Sequence, residues 1–263
     1  MTAPVDYSVV ARNIDPASEN KIHDDDVARQ FGFSGALVPG VELFAYMTHS
    51  LVEAWGSGFL SSGAFDVRFR QPIYDGEEVL AHADADGVCV ALELRGPDGT
   101  VRSVGRAAPA AARPHDVERF VEVAAPDRLL DATPDSLRPG PLGSIREPVD
   151  RVSSATYLDA ISEALPLYRD EGVVHPGALL RMVNALLVRN VALGPWIHTA
   201  SSCVFLGVAT VPTVLRAHGV VTEAFERNGH DYVRYDAVVL SDDTPVMYVD
   251  HTAIYRVGQG PRR

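Results

Sequence analysis

Asn20 and His23 stand three residues apart, ahead of an acidic run, Asp24 to Asp26, and a Pro39-Gly40 pair that opens an apolar stretch. Histidine gains and loses a proton near neutrality, so His23 is a candidate acid–base group, with Asn20 one turn of chain away. Glu19 is a carboxylate in the same loop. Pro39 suits a helix entry, and Gly40 leaves the first amide donors of that helix uncovered, where they can meet a developing negative charge. The run Asp24 to Asp26 does not read as a metal site. Consecutive residues at a helix start point different ways, and first-turn acids answer the helix dipole.

The elements that must carry these residues follow from periodicity and breakers. Asp24 and Asp25 cap a small helix from about Asp25 to Phe31, which Gly32, Ser34 and Gly35 end. Val41, Phe44, Ala45, Thr48, Leu51, Val52 and Trp55 fall at helical spacing, while Leu43, Tyr46 and Met47 make this helix apolar nearly all round. It is therefore buried and should reach Trp55. Residues 5–17 hold room for one short strand. Gly63 to Arg70 alternates with period two, and Glu78 to Ala85, Val88 to Arg95 and Thr100 to Ala107 follow as strands joined at Asp86-Gly87 and Asp98-Gly99. The first half reads as a helix wrapped by a meander.

Residues 107–139 are rich in Ala, Pro, Arg and Asp and read as a linker with one short helix near Val117 to Val123. The order then repeats. A small helix spans Tyr157 to Leu165, and Val173-Val174-His175-Pro176-Gly177 answers Ala36-Leu37-Val38-Pro39-Gly40. A second buried helix runs from Ala178 to about Val191. Strands lie near Ile197 to Leu206, Thr213 to Glu226, Tyr232 to Leu240 and Val246 to Arg256. The division is 1–108, a linker over 109–140, and 141–263. Edge strands of the two units can pair into one continuous sheet.

A net charge of -12 argues against nucleic acid and against an anionic membrane surface, since neither a basic stripe nor a basic patch is visible. Cys89 and Cys203 lie far apart in strand-like runs and read as reduced core residues of a cytoplasmic protein. The N-terminus lacks a secretory layout, and the most apolar helix is broken by Arg181, Asn184, Arg189 and Asn190. There is no Gly-x-Ser-x-Gly elbow, phosphate loop, complete dinucleotide fingerprint, His-Glu-x-x-His or Cys-x-x-Cys, which removes support from covalent hydrolase, kinase, dehydrogenase and zinc-protease chemistry.

With Asn20-Lys21-Ile22-His23 ahead of a Pro-Gly-led buried helix, the order of elements resembles the hot-dog fold. It is most similar to the MaoC-like, (R)-specific enoyl-thioester hydratases and dehydratases, many of which are double hot-dogs. The resemblance implies an α+β chain of two antiparallel sheets, each wrapped around a central helix. It also implies addition or removal of water at the β-carbon of an acyl thioester of coenzyme A or a carrier protein, with no cofactor, and leaves room for a homodimer. In that family a loop Asp-x-Asn-Pro-x-His supplies the chemistry, and amides at the helix start hold the enolate-like oxygen. Asn20 and His23 match that loop, and Gly40 matches the helix-start glycine. Lys21 replaces the Pro and Ser18 the Asp, so Glu19, Asp24 or a residue of the other half must supply the carboxylate. In the second half Glu163 falls at the Asp position and Tyr168 at the His position. A different hot-dog pattern, with an acid in the partner helix, meets Ala45 and Met182.

Substrate-binding residues implied are Ser18, Asp24, Pro39, Val41 and Tyr46, with Glu163, Tyr168 and His175 from the second half. Taken alone, Glu163 reads as a surface helix residue, Tyr168 as a packing residue and His175 as a hydrogen-bonder near the second helix start. His82, His198 and His218 read as strand residues facing solvent or a partner. Two other readings stand beside the first. One is thioester hydrolysis using Glu42 or Glu163; the other is a hot-dog that binds or cyclises an acyl or polyketide-like ligand.

Overall fold

A computed structural model describes residues 2–14, 20–110 and 116–258, with Lys21 described in its backbone alone. Ser18 and Glu19 lie outside the described residues. In chain order the first half contains β1 (Tyr7–Val10), a 3-10 turn (Lys21–His23), α1 (Asp25–Gln30), α2 (Gly40–Ser62), β2 (Ala64–Phe69), β3 (Glu78–Asp86), β4 (Cys89–Arg95) and β5 (Val101–Ala108). Next come β6 (Leu130–Asp131), β7 (Gly140–Val149), α3 (Arg151–Ala160), α4 (Pro166–Arg169), α5 (Pro176–Val188) and β8 (Val191–Ala192). The chain closes with β9 (Ile197–Phe205), β10 (Thr213–Arg227), β11 (His230–Ser241) and β12 (Thr244–Arg256).

Ten strands form one antiparallel sheet in the order β1-β3-β4-β5-β2-β9-β12-β11-β10-β7. The meander β3-β4-β5 appears as expected, but β2 leaves its sequence neighbour β3 and pairs with β5 on one side and β9 on the other. The β2–β9 pairing, Ala64 opposite Val204 through Arg68 opposite Ala200, is the seam between the halves. Both halves thus share one continuous sheet, joined edge to edge as expected. Helix α2 packs on its own strands and on β9, α5 packs on β7, β10, β11 and β12, and the two helices touch. Burial alternates along β4, where Val90, Leu92 and Leu94 face inward and their neighbours outward.

Several boundaries moved for identifiable reasons. Helix α2 continues past Trp55 to Ser62 because Gly56 accepts φ 59° at a kink, after which Phe59 and Leu60 re-enter the core. Helix α3 starts at Arg151, where Asp150 and Ser153 form a capping box, and ends before Pro166 opens α4. Helix α5 starts at Pro176 and stops at Val188, where Asn190 folds back to donate to the Leu186 carbonyl at 2.7 Å. No helix forms over Val117 to Val123. There Arg119 pairs with Asp236 and Phe120 packs edge-on against Tyr248, so side-chain anchoring replaces a helical ladder. Strand β7 went unread because Gly140, Pro141, Gly143 and Pro148 disguise it. As an edge strand against β10 it tolerates prolines that a central strand would not. Among the described residues, no helix is long and apolar enough to cross a membrane.

Candidate functional site

The 3-10 turn holds His23 between two fixed partners. Its Nδ1 lies 2.6 Å from the Leu37 carbonyl oxygen, and a carbonyl only accepts, so Nδ1 carries the proton. Nε2 then presents its lone pair to the Asn20 amide nitrogen at 3.2 Å. Asn20 is itself clamped across the molecule. Its Nδ2 donates to the Trp196 carbonyl at 3.0 Å, and its Oδ1 accepts the Trp196 amide at 3.2 Å and the Ile22 amide at 3.3 Å. The loop of the first half is thus pinned to the strand entry of the second, and the tautomer of His23 is set by backbone.

Asn20 and His23 open onto a cavity of about 560 Å³ between the halves. Pro39 and Val41 at the start of α2 line it, as do Ala178, Arg181, Met182 and Asn184 along α5. Tyr157, His175, Trp196 and Glu147 also line it, together with Ser153, Ser154 and Arg189. Among the described residues Glu147 is the sole carboxylate lining it.

The two helix starts differ. No side chain caps α2, and Gly40 is partly exposed between its two wall neighbours. The Glu42 and Leu43 amides bond the Pro39 carbonyl, so the donors this start offers to whatever enters are the amides of Gly40 and Val41. The start of α5 is closed. His175 Nδ1 accepts the Gly177 amide at 3.0 Å, and a Cβ on Gly177 would fall 2.3 Å from the Tyr157 hydroxyl. His175 is the hydrogen-bonder its position suggested.

Several expected site residues lie elsewhere. Asp24 is exposed and caps α1, accepting the Asp26 and Val27 amides, away from the cavity. Tyr46 is buried in the core and accepts the Arg12 amide at 3.1 Å. Glu163 is not a surface residue. It is 3% exposed, its carboxylate takes His49 Nδ1 at 2.9 Å and the Ala164 and Leu165 amides, and His175 Nε2 is 3.5 Å away. Burial pushes this carboxyl up, but the bonds from His175 and His49 outweigh it and hold it well below the carboxylate range. Tyr168 packs on the His175 ring, as a packing residue should. Glu42 is fully buried and ion-paired with Arg181. Glu42 and Glu163, the carboxylates that hydrolysis would draw on, are thus committed to ion pairs and do not line the cavity. His198 and His218 are buried, contrary to the reading that they face solvent; His82 pairs with Asp6 at the surface.

Glu147, Tyr157, Arg181 and Trp196 escaped the sequence reading because each comes to line one cavity with His23 only after the halves assemble. Arg181 left one signal, a cation on an otherwise apolar central helix.

The architecture is a double hotdog, the fold of MaoC-like dehydratases. No protein-family model matches the sequence, and no curated protein matches it. The structure of a MaoC-domain dehydratase from Chloroflexus aurantiacus superposes at a TM-score of 0.60 over 97% of this chain and 96% of that one, at 11% identity. A double-hotdog protein of Mycobacterium tuberculosis does so at 0.60 over 97% and 96%, at 14% identity. The dehydratase domain of PpsC from the same organism, in complex with C12:1-CoA, gives 0.51 over 94% and 92%, at 12% identity.

Proposed function

We propose that the cavity binds an acyl thioester of coenzyme A or a carrier protein and that His23 adds water to, or removes it from, the β-carbon. The observation that carries this reading is the tautomer of His23: with the Leu37 carbonyl holding the Nδ1 proton, Nε2 is the basic nitrogen at the cavity wall. In the hydration direction the entering water takes the place of the Asn20 amide nitrogen at Nε2 and gives it a proton as the water oxygen bonds to the β-carbon, and the imidazolium returns that proton to the α-carbon. Charge that develops on the thioester oxygen is met by the uncapped amides of α2, with Gly40 at their head. Glu147, the carboxylate of the cavity lining, takes the part in proton traffic that the family's loop Asp would carry, since Ser18 stands in that loop position. The double-hotdog neighbours named as dehydratases, one holding C12:1-CoA, support the substrate class. Two free cysteines, with Cys203 fully buried, fit a reducing cytoplasmic compartment.

The test is a mass-spectrometric assay of purified protein against trans-2-enoyl-CoA thioesters of increasing chain length. Gain of one water, lost by about 10²–10⁴-fold in His23→Ala, is the expected result. Release of free coenzyme A without hydration would replace this reading with thioester hydrolysis. Thioesters returned unchanged would leave a binding or cyclising scaffold.

A further inference from the structure

Helix α5 turns a mixed face to the cavity. Ala178, Met182, Ala185 and Val188 give it an apolar stripe, and Arg181 and Asn184 run beside them as a polar one, with Arg189 at the exposed C-terminal end. Arg181 reaches across to Glu42 in the first turn of α2, so this point of α5 stands opposite the Gly40 and Val41 amides. Asn184 lies one turn further along. Its Oδ1 is buried without a hydrogen-bond partner, and among the described residues nothing bonds its Nδ2. A half-turn about χ2 exchanges the two ends of the amide, so the group can offer a ligand either a donor or an acceptor. A buried amide with nothing to bond is costly, and a plain hydrocarbon lying against it would deny it water as well. What passes Asn184 must therefore carry a polar group of its own.

Two sides of the cavity rim are exposed, one at Glu147, Pro148 and Ser153 and the other at Arg189. They carry opposite charge. A phosphate is repelled at the first and attracted at the second, where among the described residues no carboxylate pairs with the guanidinium. From Arg181 to Arg189 the helix rises about 12 Å at its usual pitch. A phosphopantetheine arm presents its groups in the matching order. Two carbons beyond the thioester sulfur comes an amide, and the chain ends in a phosphate about 16 Å from the sulfur when extended.

We propose that the phosphopantetheine arm of the substrate leaves the start of α2 along α5, with its inner amide hydrogen-bonded to Asn184 and its phosphate at Arg189. The proposal rests on the thioester reading above and adds how the protein holds the part that every such substrate shares, whatever acyl chain it carries.

The test is a ladder of crotonyl thioesters: of CoA, which has both amide and phosphate; of N-acetylcysteamine, which keeps only the inner amide; and of pentanethiol, in which methylenes take the amide's place. Asn184→Leu keeps the side-chain size and removes the amide. Its unfolding midpoint should equal or exceed that of wild type, because it deletes a buried group that the protein itself leaves unpaired. Its preference for the N-acetylcysteamine over the pentanethiol thioester, in kcat/KM, should be about 10-fold smaller than that of wild type. Arg189→Ala should raise KM for the CoA thioester about 5-fold more than KM for the N-acetylcysteamine thioester, and added salt should erase that difference. A crotonyl carrier protein bears the same arm and phosphate. The Arg189 effect should appear on whichever of it and crotonyl-CoA is hydrated, which names the source of the arm. A wild type that hydrates the ladder, with either ratio unchanged in its variant, overturns this proposal and spares the thioester reading. An Asn184→Leu rate that varies with acyl chain length at an unchanged amide preference puts the acyl chain along α5 instead. A wild type that hydrates nothing overturns hydration. Calorimetric titration with butyryl-CoA, which has no double bond, then decides alone: weaker binding in both variants upholds the place of the arm, and unchanged binding in either removes it.

Discussion

Asn20 is the residue on which both the chemistry and its geometry turn, because one amide group satisfies Trp196 and faces the basic nitrogen of His23. Asn20→Ala should lower kcat/KM for enoyl-CoA hydration by about 10²-fold through displacement of the imidazole, read by steady-state kinetics. The pair Asn20 and His23 was readable because it lies within one turn of chain. Trp196 was not, since nothing local marks a residue whose role depends on a contact with Asn20 across more than a hundred positions, and Glu147 gave no signal until the halves closed one cavity. The buried histidines have a consequence for stability. Unfolded, an imidazole takes up a proton near 6.5, whereas folded His198 does so only at about 3. Its pKa is depressed, so its share of stability is complete above the unfolded value and is lost as pH falls. That loss runs at about 1.4 kcal/mol per pH unit between those limits. Urea unfolding from neutrality down to about pH 4 should show this slope in wild type and a shallower one in His198→Asn.

Elements were more legible than their junctions. Four of the five strands after α5, β9 to β12, were placed nearly residue for residue, because period-two alternation and turn residues act locally, while the two-residue β8 was read as the end of the helix. Strand β7 was lost to its prolines, and the kink at Gly56 is invisible to a pattern that only sees apolar spacing. The crossing of the two central helices depends on a single missing Cβ. At Gly177 it would fall 2.8 Å from the Ala45 Cβ of α2 and closer still to the Tyr157 hydroxyl. Gly177→Ala should destabilise the protein by about 1–3 kcal/mol in urea unfolding, by forcing the helices apart.

At the scale of the molecule, the β2–β9 seam, the Glu163–His49 pair and the Arg181–Glu42 pair all cross between halves. Neither half completes its polar interior alone, so the chain should unfold as one unit. The two tryptophans, Trp55 and Trp196, fall one in each half. Single-tryptophan variants carrying Trp55→Phe or Trp196→Phe should therefore give coincident fluorescence transitions in urea; separated midpoints would show two independent units. Glu163→Gln strips the charge from one of these cross-half pairs and should cost about 3 kcal/mol near neutrality, with the difference from wild type closing as pH drops below the range in which an unfolded glutamate titrates. The pseudo-symmetry is therefore structural and not chemical. The second helix start is filled by the protein's own His175 and Tyr157, which occupy the place of a guest. The ligand count per chain follows: two like halves should saturate with one equivalent of thioester, and calorimetric titration should find a single class of site with no cooperativity to divide between the halves.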